Sequence, residues 1–105
     1  SYVASMLKDA AQRYNRQIIV IGFAREKNID EVLPLLPREA YYIFTQAAVS
    51  RAMSVEELAE QAATAGLQGE IQPSVAEAMA RAKELAGEED MIFVGGSNFV
   101  VAEVL

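Results

Sequence analysis

Three of the nine basic residues in this 105-residue chain, Arg25, Lys27 and Arg51, stand in two short segments that each follow an apolar run. A guanidinium can grip a carboxylate through two parallel N–H bonds, whereas an ammonium acts as a compact point charge. A third segment, Gly95-Gly96-Ser97-Asn98, sets two glycines ahead of a stretch that reads as helix. There, free backbone N–H groups and the helix dipole favour an anion. Two or three cations converging on such a terminus would hold a small carboxylate or phosphate. Plainer readings stand beside this one. Gly95-Gly96-Ser97 also fits a tight turn with Ser97 as helix cap, and Arg25, Lys27 and Arg51 taken singly fit solvated surface charges. Glu88-Glu89-Asp90 reads as a solvated turn rather than a catalytic pair, Tyr41, Tyr42, Phe44 and Phe93 as core aromatics, and Glu103 fits either role.

The composition removes several chemistries. The chain has no cysteine and no histidine, which excludes thiol catalysis, disulfides, Cys/His zinc sites and imidazole acid–base steps. No catalytic residue and no metal ligand is assigned. The net charge of −6 argues against nucleic acid and against anionic membrane surfaces as partners. No apolar run approaches the ~20 residues needed to span a bilayer, and Ser1 to Tyr14 lacks a signal-peptide pattern. With 52% hydrophobic and 23% charged residues the chain reads as a soluble globular domain, for which the cytoplasm is the expected compartment. Neither G-x-x-x-x-G-K-[ST] nor G-x-G-x-x-G occurs, so nucleotide hydrolysis does not follow from these residues.

The positioning elements are legible in outline. Gln17 to Phe23, Ala40 to Thr45 and Met91 to Gly95 are unbroken apolar runs, as expected of strands covered on both faces. Gly69 to Gln72 is a weaker fourth. Ser54-Val55-Glu56-Glu57 is a capping box, with Ser54 as cap and Glu57 reaching back. Val55, Leu58, Ala62 and Ala65 share a face of the helix that follows, and Gly66 stops it. Ser74 to Glu77 repeats the device, with Val75, Ala78, Met79, Ala82 and Leu85 inward and Gly87 at the end. Asn28 to Glu31 reads as the cap of a short helix that Pro34 terminates, and Tyr2 to Tyr14 as a leading helix. Strands alternating with helices predict right-handed crossovers and an α/β fold: a three-layer αβα sandwich around a Rossmann-like, mostly parallel sheet, one domain over 1–105. Ligands bind such sheets beyond the carboxyl ends of the strands, where all three loops fall.

Three segments add a resemblance. IIVIGFAREKNIDEVL, YIFTQAAVSRAMSVEELAEQA and MIFVGGSNFVVAEVL resemble, in order and with the expected gaps, stretches of folylpolyglutamate and dihydrofolate synthases, members of the Mur ligase superfamily. The likeness runs from about Gln17 to Leu105. It implies a carboxy-terminal domain that helps to hold glutamate and completes the ATP site as it closes on a larger ATPase domain, in an enzyme that uses ATP and Mg2+ to join a folate carboxylate to the amino group of L-glutamate. Carried over by position, Lys27, Arg51 and Ser97 would bind glutamate, with Arg25, Gly96 and Asn98 as secondary contacts. Glu26 and Asn28 replace two aspartates usual around that lysine, and Gly95 departs from the residue usual before Gly-Ser. On this reading the chain is a piece of a larger enzyme, inactive alone, whose amino-terminal ATPase domain, folate and ATP are its partners. The competing expectation is a free-standing small-anion-binding or regulatory α/β module; a phosphoacceptor receiver is disfavoured because Gly22-Phe23 and Thr45-Gln46 stand where clustered aspartates belong.

Overall fold

The computed structural model describes residues 16–25 and 28–96. The leading helix expected over Tyr2 to Tyr14 and the helix expected after Ser97 lie outside the described residues. Four strands form one sheet: β1 (Gln17–Gly22), β2 (Tyr41–Phe44), β3 (Gln68–Ile71) and β4 (Met91–Gly96). Their order is β3-β2-β1-β4 and all three pairings are parallel. Helix α1 (Val55–Thr64) joins β2 to β3, and α2 (Val75–Leu85) joins β3 to β4. From β1 to β3 the chain moves along the sheet in one direction; it then returns past β1 to lay down β4. Right-handed crossovers put the returning helix on the opposite face, and the packing agrees. Val55, Leu58 and Ala62 of α1 pack with Ile19, Ile21, Tyr42 and Phe44. Ala78 and Ala82 of α2 pack with Ile18, Val20 and Ile43. The three-layer αβα sandwich is therefore present, and central β1 is buried along its whole length because both its faces are covered.

Both helices begin as their sequences indicate. The Glu57 N–H donates to Ser54 Oγ at 3.2 Å, and the Glu77 N–H to Ser74 Oγ at 3.2 Å. The reciprocal arm differs between them. Ser74 Oγ donates to Glu77 Oε1 at 3.0 Å, whereas the Glu57 carboxylate accepts from Gln61 Nε2, one turn along, at 3.4 Å. Gly66 follows α1 at φ +86, the left-handed conformation that ends a helix. Gly87 does not play that part. Here α2 ends because Ala86 turns extended, at φ −79 and ψ 132.

Three further expectations need correction. Asn28 to Glu31 does not cap a helix ended by Pro34. A turn, with the Val32 and Leu33 N–H groups both donating to the Ile29 carbonyl, leads into a 3-10 helix over Leu33–Leu35 that holds Pro34 in its first turn. A first-turn N–H has no intrahelical partner, so proline costs nothing there. The strand ends also shift. Phe23 and Thr45 lie beyond their strands, β3 starts one residue earlier than expected, and Gly96 is the last residue of β4 rather than part of a loop. The Glu88 to Asp90 turn is not simply solvated either: Asp90 accepts from the Gly87 N–H at 2.8 Å and pairs with Arg16 at 3.2 Å, and Arg16 also donates to the Leu85 carbonyl. This staple ties the entry of β1 to the turn that opens β4.

Candidate functional site

The reversal in strand order falls between β1 and β4, so the crevice that ligands occupy in such sheets opens at the carboxyl ends of these two strands. Gly22 and Gly96 face each other there as the last pair in register. Gly96 has φ +111, and a Cβ built on it would collide with the Gly22 carbonyl oxygen. Only glycine suits both the conformation and the approach.

The segment after β2 is fastened to the end of β1 at both of its own ends. The Thr45 N–H donates to the Ile21 carbonyl at 2.9 Å, and the Met53 N–H to the Phe23 carbonyl at 2.7 Å. Between them the Arg25 N–H donates to the Arg51 carbonyl at 2.8 Å, and Ala24 and Ala52 form an antiparallel bridge. Residues 45–53 thus make a clasped loop, and the backbones of Arg25 and Arg51 are one hydrogen bond apart. Both side chains are exposed. Gln46 fastens the loop to the next element, its Oε1 accepting from the Val55 N–H at 2.9 Å at the start of α1.

Of the six residues expected at the site, the structure therefore brings Arg25 and Arg51 together and sets Gly96 at the same rim of the sheet. Lys27, Ser97 and Asn98 lie outside the described residues. Antiparallel neighbours would have scattered these loops; parallel pairing gathers them. Among the described residues no three of His, Cys, Asp and Glu gather as metal ligands, and no helix is long and apolar enough to cross a membrane.

Sequence reasoning missed two features. One is the clasp itself, for which the small residues Ala24 and Ala52 beside the two arginines are the only local sign. The other is a polar network on the β3 edge of the sheet. Glu70 on edge strand β3 accepts from Tyr41 Oη at 2.7 Å, from Gln72 Nε2 at 2.8 Å and from Arg81 Nε at 3.0 Å. Burial pushes the Glu70 carboxyl upward, but the bonds from Gln72, Tyr41 and Arg81 outweigh it and leave the group below its ordinary value. The hydrogen bond to Glu70, ahead of burial, raises the Tyr41 phenol. With partners on β2, on α2 and, in Gln72, just past the end of β3, this network fastens α2 to the sheet edge.

The described residues thus form an all-parallel αβα sandwich with glycines at its switch point and the Arg25 and Arg51 segments clasped beside it. Comparison with known proteins gives the family. The profile described as "Mur ligase, glutamate ligase domain" matches residues 2–98, and the chain belongs to that family. A search of curated proteins gave no match. Among solved structures, E. coli FolC in complex with DHPP and ADP superposes with a TM-score of 0.84 at 29% identity, over 98% of this chain and 24% of that one. The bifunctional folylpolyglutamate synthase/dihydrofolate synthase of Yersinia pestis CO92 gives 0.81 at 23% identity, over 98% of this chain and 25% of the other. A bifunctional enzyme of the same description with Mn, AMPPNP and L-glutamate bound gives 0.73 at 19%, over 96% and 24%. The chain thus spans about a quarter of the length of these solved proteins.

Proposed function

We propose that this chain is the carboxy-terminal, glutamate-handling domain of an ATP-dependent folylpolyglutamate synthase, a ligase that forms an amide bond between a folate carboxylate and the amino group of L-glutamate. Dihydrofolate synthase activity in the same enzyme fits the bifunctional relatives equally well. The observation that carries the reading is the clasp: it fixes Arg51 against Arg25 at the carboxyl ends of the strands, in a chain of the glutamate ligase family. In sequence Lys27 comes two residues after Arg25 and Ser97 one after Gly96, and the rim reading of these two residues rests on that proximity. In this reading Arg51 grips a carboxylate of glutamate through two N–H bonds, Lys27 adds a positive charge, and Ser97 donates from the segment after β4, with Arg25, Gly96 and Asn98 as secondary contacts. The rim holds and orients the amino acid so that its amine can attack a folate carboxylate activated as an acyl phosphate, which releases phosphate.

ATP and Mg2+ are cofactors of the whole ligase. The described residues gather no carboxylate set for a divalent cation, and the sequence has no phosphate loop. In this reading the amino-terminal ATPase part holds both groups, and this domain, inactive without it, helps to complete the nucleotide site as it closes. The compartment is the cytoplasm, where folate and ATP meet.

The test is steady-state kinetics on the full-length ligase with Lys27→Ala, Arg51→Ala and Ser97→Ala. Loss of a charged hydrogen bond predicts a KM for glutamate raised about 10- to 100-fold for the two cations, with a smaller rise for Ser97. An unchanged KM and turnover in all three would sink the site assignment.

A further inference from the structure

Thr45 is fully buried, and its Oγ1 is, among the described residues, the one buried side-chain polar atom without a hydrogen-bond partner. Buried polar groups are otherwise satisfied, so such an orphan calls for a reason. Packing alone offers none: Ala47 and Ala52 of the same loop form an apolar cluster with Val75, and a valine would fill the volume of Thr45 without an unpaired hydroxyl. Its location does offer a reason. The bond from the Thr45 N–H to the Ile21 carbonyl extends the β1–β2 register by one residue and sets Thr45 beside Gly22, which pairs with Gly96. Thr45, Gly22 and Gly96 therefore form one row across three strands at the switch point. In that row Thr45 alone carries a side chain, and it opens the clasped loop that ends in Arg51.

We infer that Thr45 is a further substrate-positioning residue, whose hydroxyl makes its hydrogen bond only when the rim is occupied by the amino-acid substrate, to that ligand or to a water the ligand orders. The inference rests on the reading that the rim holds glutamate, and deepens it. In the empty domain the hydroxyl stays unpaired; in the loaded one it fixes the end of β2, and with it the loop that carries Arg51.

The experiment compares Thr45→Val, Thr45→Ser and Arg51→Ala in the full-length ligase, by melting temperature and by kinetics with L-glutamate as the varied substrate. Thr45→Val is expected to melt no lower than wild type, because it removes an unsatisfied group, and to raise KM about three- to tenfold while kcat changes by less than about twofold. Thr45→Ser is expected to bring KM back near the wild-type value. An unchanged KM in Thr45→Val overturns the inference, and so does a lowered melting temperature, which would mean that the hydroxyl has a partner in the resting fold. A Thr45→Ser enzyme as weak as Thr45→Val overturns it too. If Arg51→Ala raises KM while Thr45→Val does not, this inference alone falls; if neither raises it, the reading of the rim falls as well.

Discussion

Gly96 carries two demands at one position. Its φ of +111 lies where side chains are strained, and a Cβ would run into the Gly22 carbonyl across the β4–β1 pairing. Replacing it by alanine forces either the backbone conformation or the strand spacing to give way, at the point where the candidate ligand crevice opens. Gly96→Ala is expected to destabilise the chain by about 1–3 kcal/mol, read as a lower melting temperature or urea midpoint. Gly87→Ala is the control. Gly87 has no positive φ, and its nearest prospective neighbour is the Asp90 carboxylate at an ordinary 3.6 Å, so its change should be within about 0.5 kcal/mol. Equal losses at the two positions would contradict the geometry. The glycine types were plain in the sequence; which of them is obligatory was not, since that depends on a carbonyl 74 residues away.

The two long helices are independent units on opposite faces of the sheet, each opened by a serine whose hydroxyl accepts from the N–H three residues on. Each cap satisfies one of the N–H groups that a helix start leaves without a backbone partner. Ser54→Ala and Ser74→Ala are each expected to cost about 1 kcal/mol. Because α1 and α2 share no packing cluster, the double variant should lose the sum to within about 0.5 kcal/mol. A cycle of urea denaturation curves measures this directly, and a coupling larger than that would mean the two layers unfold as one packed body. Caps and inward faces were readable because they depend on spacings of three and four residues. The arms that complete them were not: Glu57 turns along its helix to Gln61 and Glu77 turns back to Ser74. The same four-residue signal misled at Asn28 to Glu31, where the Ile29 carbonyl closes a turn and proline in the first turn suits the 3-10 helix that follows.

At the scale of the molecule, two partnered carboxyl groups couple folding to pH. Hydrogen bonding from the Gly87 backbone, opposed by burial and helped by the contact with Arg16, leaves Asp90 below its ordinary value of 3.8. Glu70 is likewise held below 4.5, its three donors outweighing burial. A carboxyl group depressed in the folded state binds fewer protons there than in the unfolded chain, so its contribution is present above the ordinary value and is lost as pH falls through the folded one. The melting temperature is therefore expected to be flat down to about pH 5 and to fall steadily below about pH 4. Glu70→Gln should melt lower at pH 7 and show a shallower acid decline. An acid limb as steep as that of the wild type would mean that Glu70 is not coupled to folding.

The sequence by itself determined the local pieces: three apolar strands, two capped amphipathic helices, parallel α/β alternation, and cations in loops that follow strands. These are consequences of side-chain type at spacings of two to four residues. Only the tertiary structure decided the strand order β3-β2-β1-β4, the reversal that places the crevice between β1 and β4, and the clasp that binds the Arg25 and Arg51 segments together. Those features rest on backbone pairing between residues far apart in the chain, such as the bond from the Thr45 N–H to the Ile21 carbonyl and the register of Gly22 with Gly96. Backbone groups are chemically the same at every residue, so their long-range pairing leaves no mark in the letters of a single chain.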